Sequence, residues 1–160
     1  MLAKVLQPRL ETKDTEKDDI DRNLRILNRA YEVYEAAKRP DLAINLCLLK
    51  GSYLEKVDRR DVALKLYVSA SQMYADQHYG VRDLFDRALV MLDGNENVRK
   101  RLAFCESVIK KIPRQRGPED KKTGELNPSY VYVARAYIRT LQDAGQNALA
   151  ADWEAKLKTK

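Results

Sequence analysis

The sequence is poor in the residues that most often carry chemistry. Its 160 residues include two cysteines, one histidine and two phenylalanines. Cys47 and Cys105 stand far apart, and neither has a second ligand at the close spacing of a zinc pair. Nothing marks an exported chain in which they would be joined, so both are expected to be small buried hydrophobes. The single histidine, His78, lies beside Gly80 near the end of a helical pattern, where an imidazole can complement the helix dipole. No Cys-x-x-Cys, His-x-x-x-His, phosphate-cradling glycine loop or nucleophile-elbow glycine pair occurs. The reading is a chain that is not an enzyme and calls for no cofactor and no metal.

Long apolar runs are missing as well. No stretch approaches the roughly 18 apolar residues of a membrane span. The opening MLAKVLQPRLETKD lacks the continuous apolar core of a signal peptide, so a cytoplasmic protein is expected. The hydrophobic fraction of 44% and charged fraction of 34% fit a globular chain, long enough for one domain over residues 1–160. Residues 1–16 are expected to be flexible.

Strand signals are nearly absent. The one Val/Tyr-rich run, YVYVARAY at 130–137, places Tyr130, Ala134, Tyr137 and Leu141 at helical spacing. Asn127-Pro128 ahead of it reads as an N-cap followed by proline in the first turn. Apolar residues recur at steps of three and four elsewhere too, predicting helices over about 17–38, 41–57, 62–78, 81–92, 96–112, 129–143 and 146–158. Asp61 and Asn95 are candidate caps for the third and fifth. Short connections make neighbours antiparallel. The fold class is therefore all-α, with about seven antiparallel helices. The remaining long stretch, PRQRGPEDKKTGELNP at 113–128, reads as a polar loop.

Charge is abundant but uneven. The net charge is +6. Between Asn95 and Lys122 nine Lys/Arg stand against four acids, which leaves +1 for the rest of the chain. Arg99, Lys100, Arg101, Lys110, Lys111, Arg114 and Arg116 form a candidate patch for nucleic acid or another anionic partner. Only Phe104 interleaves them as a stacking aromatic, so the patch also reads as a solvated face. Nine tyrosines outnumber the phenylalanines, and most fall on or beside apolar helix faces, where the ring packs and the hydroxyl reaches water.

Five of the six glycines punctuate helix ends or loops, whereas Gly51 sits inside LCLLKGSYLEK, among Leu46, Leu49, Tyr53 and Val57. Glycine there costs about 1 kcal/mol relative to alanine. Cys47, Gly51, Leu54, Ala63, Tyr67 and Ala70 are spaced so that residues 44–76 resemble one tetratricopeptide repeat, an antiparallel helix hairpin. Tyr31, Tyr34 and Ala43 within 31–47 match a second hairpin in part, and YIRTLQDAGQNALAADWEAKL, 137–157, a third. Cys47 stands where the family has a bulky aromatic, and Lys50 where it has leucine. The resemblance implies helical hairpins stacked into a right-handed α-solenoid, with Gly51 facing Ala63, Tyr67 filling the adjacent gap and Ala70 admitting the next helix. It also implies a scaffold or adaptor with a concave groove for a partner's peptide or helix, or for self-association into a homo-oligomer. The groove-facing places fall on Asn45, Leu48, Ser52, Glu55 and Lys56, with Tyr34 as a further candidate. Leu48 and Ser52 occupy the two places where some members clamp a partner's terminal carboxylate with Lys and Asn, so that specialised use is not expected.

Overall fold

The computed structural model describes residues 17–77 and 81–158. The expectations for residues 1–16, His78 and Gly80 lie outside the described residues. Among the described residues there are eight α-helices and no strand. They are α1 (Lys17–Ala36), α2 (Pro40–Lys56), α3 (Arg60–Met73), α4 (Val81–Met91), α5 (Val98–Ile109), α6 (Pro118–Thr123), α7 (Pro128–Asp143) and α8 (Asn147–Lys158), with a 3-10 turn at Asn95–Asn97. Among those residues no helix is long and apolar enough to cross a membrane. The chain divides into two compact units, residues 1–88 and 89–160.

In the first unit α2 packs against both α1 and α3. Leu27 and Ala30 of α1 meet Leu46 and Tyr53 of α2 in a buried cluster, flanked by Ile20, Leu24, Tyr31, Tyr34 and Leu49. This is the stripe that the three-and-four spacing produces. A second side of α2, with Cys47, Gly51 and Leu54, is buried as well. A helix with two buried sides belongs between two neighbours, and α2 holds that place.

The turns on either side of α2 are built alike. The Lys38 and Arg39 amides donate to the Glu35 and Tyr34 carbonyls, each at 3.0 Å, and the Asp58 and Arg59 amides donate to Glu55 (3.2 Å) and Leu54 (2.8 Å). Both are the double hydrogen bond that closes a helix end. Lys38 (φ 52°) and Asp58 (φ 60°) take the left-handed conformation usually given to glycine. No side chain caps α3, so Asp61 lies in its first turn and does not cap it; the residue preceding the helix is Arg59.

In the second unit α7 packs against α5 and α8. Gly145 (φ 72°) makes the same closing turn between α7 and α8, with the Gln146 amide donating to Leu141 at 2.8 Å. Asn127 caps α7: its side-chain oxygen accepts from the Ser129 amide at 3.0 Å, and Pro128 opens the helix. Asn95 does not cap α5. Gly94 at φ 104° leads into the 3-10 turn instead, and Asn97 immediately precedes the α-helix.

The 113–128 segment is more ordered than its composition suggests. It contains α6, framed by Gly117 before Pro118 and by Gly124 at φ 75°. Its base is tied by Asn127, whose amide donates to the Arg114 carbonyl (2.8 Å) and whose Nδ2 donates to the Pro113 carbonyl (3.1 Å).

Candidate partner-binding site

The groove candidates divide once the helices are in place. Successive residues of an α-helix turn by about 100°, so Asn45, Leu48, Ser52 and Lys56 fall along one edge of α2. Asn45 and Lys56 are exposed, and Leu48 and Ser52 are half-buried. They form an accessible edge of a helix whose buried residues are Ala43, Ile44, Leu46, Cys47, Gly51, Tyr53 and Leu54. At its N-terminal end Asp41 accepts two hydrogen bonds from Arg39, Nε to Oδ1 at 3.0 Å and Nη2 to Oδ2 at 2.8 Å. That paired guanidinium holds the Asp41 carboxyl below the usual carboxylate range.

Glu55 and Tyr34 have other occupations. Tyr67 donates its hydroxyl to Glu55 Oε1 at 2.7 Å, which turns Glu55 toward α3. Tyr34 is packed, half-buried, against the α1–α2 cluster.

The same tyrosine explains Gly51. The atoms nearest to where a Cβ would stand on Gly51 all belong to the Tyr67 ring, closer than real side chains approach. Tyr67 itself is fully buried. Gly51 therefore accommodates a phenol ring; the expected facing residue, Ala63, is buried but is not its nearest neighbour. Burial and the Glu55 carboxylate together push the Tyr67 phenol pKa up. A second phenol cluster joins α1 to the end of α3. Tyr74 donates to Glu35, and its oxygen lies 2.7 Å from that of Tyr31. Burial, then Glu35 and Tyr31, raise the Tyr74 pKa.

The two cysteines are buried, unpaired thiols. Burial raises both to about 11, so at neutral pH both are protonated thiols.

The seven basic candidates do not act alike. Arg101 is mostly covered, with 12% of its side chain exposed. It bridges Asp93 (Nη1 to Oδ1, 3.1 Å) and Asp143 (Nη2 to Oδ2, 3.2 Å), which makes it a tie within the second unit. Lys110 pairs with Glu106 at 2.7 Å, and Arg114 donates to the Lys156 carbonyl at 2.9 Å. Arg99, Lys100, Lys111 and Arg116 remain exposed, with side chains that make no ion pair among the described residues. Arg99 and Lys100 open α5 while Lys111 follows its end, about 16 Å or more further along the axis. Glu106 lies between them.

Arg135, Arg139 and Lys158 carry no signal in the sequence. Residues 123–158 carry four cations and four acids, so the segment looks neutral by count. Only the pairing of α7 with α8 shows how those charges are distributed in space.

Comparison with protein-family models, with curated proteins and with solved structures returns no match.

Proposed function

We propose that the chain is a non-enzymatic helical-hairpin scaffold of the tetratricopeptide type. Its hairpins stack in the solenoid manner, and the accessible edge of α2 receives a peptide or helix from a partner protein in the cytoplasm. One observation carries this reading: α2 is enclosed by α1 and α3, with Gly51 fitted against Tyr67, yet keeps the edge Asn45, Leu48, Ser52 and Lys56 accessible. A half-buried leucine between polar neighbours suits the apolar anchor and polar rim of peptide recognition. The protonated, buried thiols support a binding role over a nucleophilic one.

The test is a binding measurement with a double variant. Affinity capture from the cells that make the protein should return a discrete partner, or a second copy of the chain. Leu48→Glu together with Ser52→Lys should abolish that capture while leaving the helical circular dichroism unchanged. Retention of the same partner by the double variant would contradict the assignment.

A second reading rests on four basic side chains that make no ion pair among the described residues, Arg99, Lys100, Lys111 and Arg116. They would neutralise phosphates or an acidic surface, with affinity falling steeply as salt rises. A mobility shift of random-sequence RNA or DNA at low salt, lost in the quadruple glutamine variant, would favour it. No shift at micromolar protein would exclude it.

A further inference from the structure

The α7–α8 hairpin carries a cleft that includes neither the α2 edge nor the basic segment. It encloses about 400 Å3. Arg135, Ile138, Arg139 and Gln142 line it from α7, at the spacing that puts them on one helical face. Leu157 and Lys158 line it from α8. Ile138 is buried and Leu157 half-buried, so the floor is aliphatic. Arg135, Arg139 and Lys158 are exposed, and none of the described residues pairs with them. The one acid of the lining, Glu154, accepts from Gln142 Nε2 at 3.3 Å. That contact occupies the end of the cleft nearest the Gly145 turn, and the three cations border the remainder.

We propose that this cleft binds an extended acidic peptide segment of a protein partner. An aliphatic side chain of the peptide rests on Ile138 and Leu157, and flanking carboxylates meet Arg135, Arg139 and Lys158. Charge complementarity identifies the occupant, since three cations that pair with none of the described residues border an apolar floor. Guanidinium groups are suited to bind a carboxylate through two parallel hydrogen bonds. From Arg135 to Gln142 the helix rises about 10 Å, which is roughly three residues of extended chain. The recognised unit is therefore an acid–aliphatic–acid triplet. A nucleic acid fits less well. None of the lining residues is aromatic, so bases have no stacking surface.

The experiment uses the full chain, labelled for NMR, and a capped hexapeptide of alternating glutamate and leucine. Its counterpart with lysine in place of glutamate is the control. The acidic peptide should shift the amides of residues 135–142 and 154–158, with affinity falling as salt is raised. Arg135→Glu with Arg139→Glu should weaken binding at least tenfold. Both positions are exposed, so the circular dichroism should be unchanged; Arg135→Gln with Arg139→Gln is the milder substitute and should weaken binding in the same direction. The proposal is overturned if millimolar acidic peptide shifts none of these amides, or if the lysine peptide binds equally. It is also overturned if the charge-reversed variant retains full affinity, or if a single-stranded RNA 12-mer shifts these amides more strongly than the peptide.

Discussion

The first compact unit is fastened by phenol hydroxyls on carboxylates, the second by a guanidinium and an amide. In the first, Tyr67 donates to Glu55 and Tyr74 to Glu35, and a glycine lies against the Tyr67 ring. In the second, Arg101 ties Asp93 to Asp143, and Asn127 both caps α7 and closes the base of the 113–128 segment. A buried phenol must stay neutral, whereas a guanidinium stays charged at any accessible pH. The two units should therefore fail under different conditions.

Alkaline pH should separate them most strongly. Cys47 and Cys105 each rise from 9.0 to about 11, and the Tyr67 and Tyr74 phenols rise above their ordinary 10.0. A raised pKa means that the folded state keeps a proton which the unfolded state releases. The stabilisation is complete below the unfolded value and is lost as pH climbs through the folded one. Each thiol then accounts for about 2 kcal/mol by pH 11. The second unit has one such thiol and, among its tyrosines, Tyr137 raised chiefly by burial. The first has a thiol and several raised phenols, including Tyr31. Hydrogen exchange from pH 8 to 11 should show protection lost in α1–α3 before α5, α7 and α8. Simultaneous loss would erase the distinction.

The close approach at Gly51 comes next. Gly51→Leu should destabilise by about 1–3 kcal/mol through overpacking. Gly51→Ala should also destabilise, although alanine is the better helix former, because its methyl would overlap the Tyr67 ring. Most of that loss should vanish in a Tyr67→Ala background, as a double-mutant cycle on thermal unfolding would reveal. Wild-type stability in Gly51→Leu would contradict the hairpin contact.

In the second unit, Asn127→Ala should cost about 1–2 kcal/mol, since it removes a helix cap and leaves the Pro113 carbonyl without its donor. Faster proteolysis within 113–126 should accompany it. If cleavage there is unchanged, Asn127 does not close that segment.

The smallest effect should have the opposite sign. Lys38→Gly and Asp58→Gly should each stabilise by about 0.5–1 kcal/mol, because both sites hold non-glycine residues in the left-handed region. The equivalent turn in the second unit already has Gly145. A loss of thermal stability in either variant would show that its side chain does more than occupy the turn.

These turns also mark how far the fold was legible. The helical faces follow directly from three-and-four spacing, and Asn127, Pro128 and Gly145 announced their helix boundaries. Lys38 and Asp58 gave no such signal, because a left-handed residue that is not glycine is invisible to composition. The spacing accordingly predicts ends for α1 and α2 a residue or two beyond Ala36 and Lys56. α6 had its markers in Gly117, Pro118 and Gly124, but its polar surroundings concealed them. At the candidate site, the shared edge of Asn45, Leu48, Ser52 and Lys56 was readable because one helix carries all four. Glu55 bonding to Tyr67, and Arg101 bonding to Asp143, depend on how helices pair, and helix pairing leaves no local trace. The opposing charges of the α7–α8 cleft were hidden for the same reason.

The role of the α2 edge is tested most directly by photo-crosslinking in the cell. A photoreactive phenylalanine analogue at Ser52 should trap a discrete adduct with a partner or a second copy of the chain. The same analogue at Lys65, an exposed position on α3, should not. Matching adduct profiles at the two positions, or none at Ser52, would contradict the account.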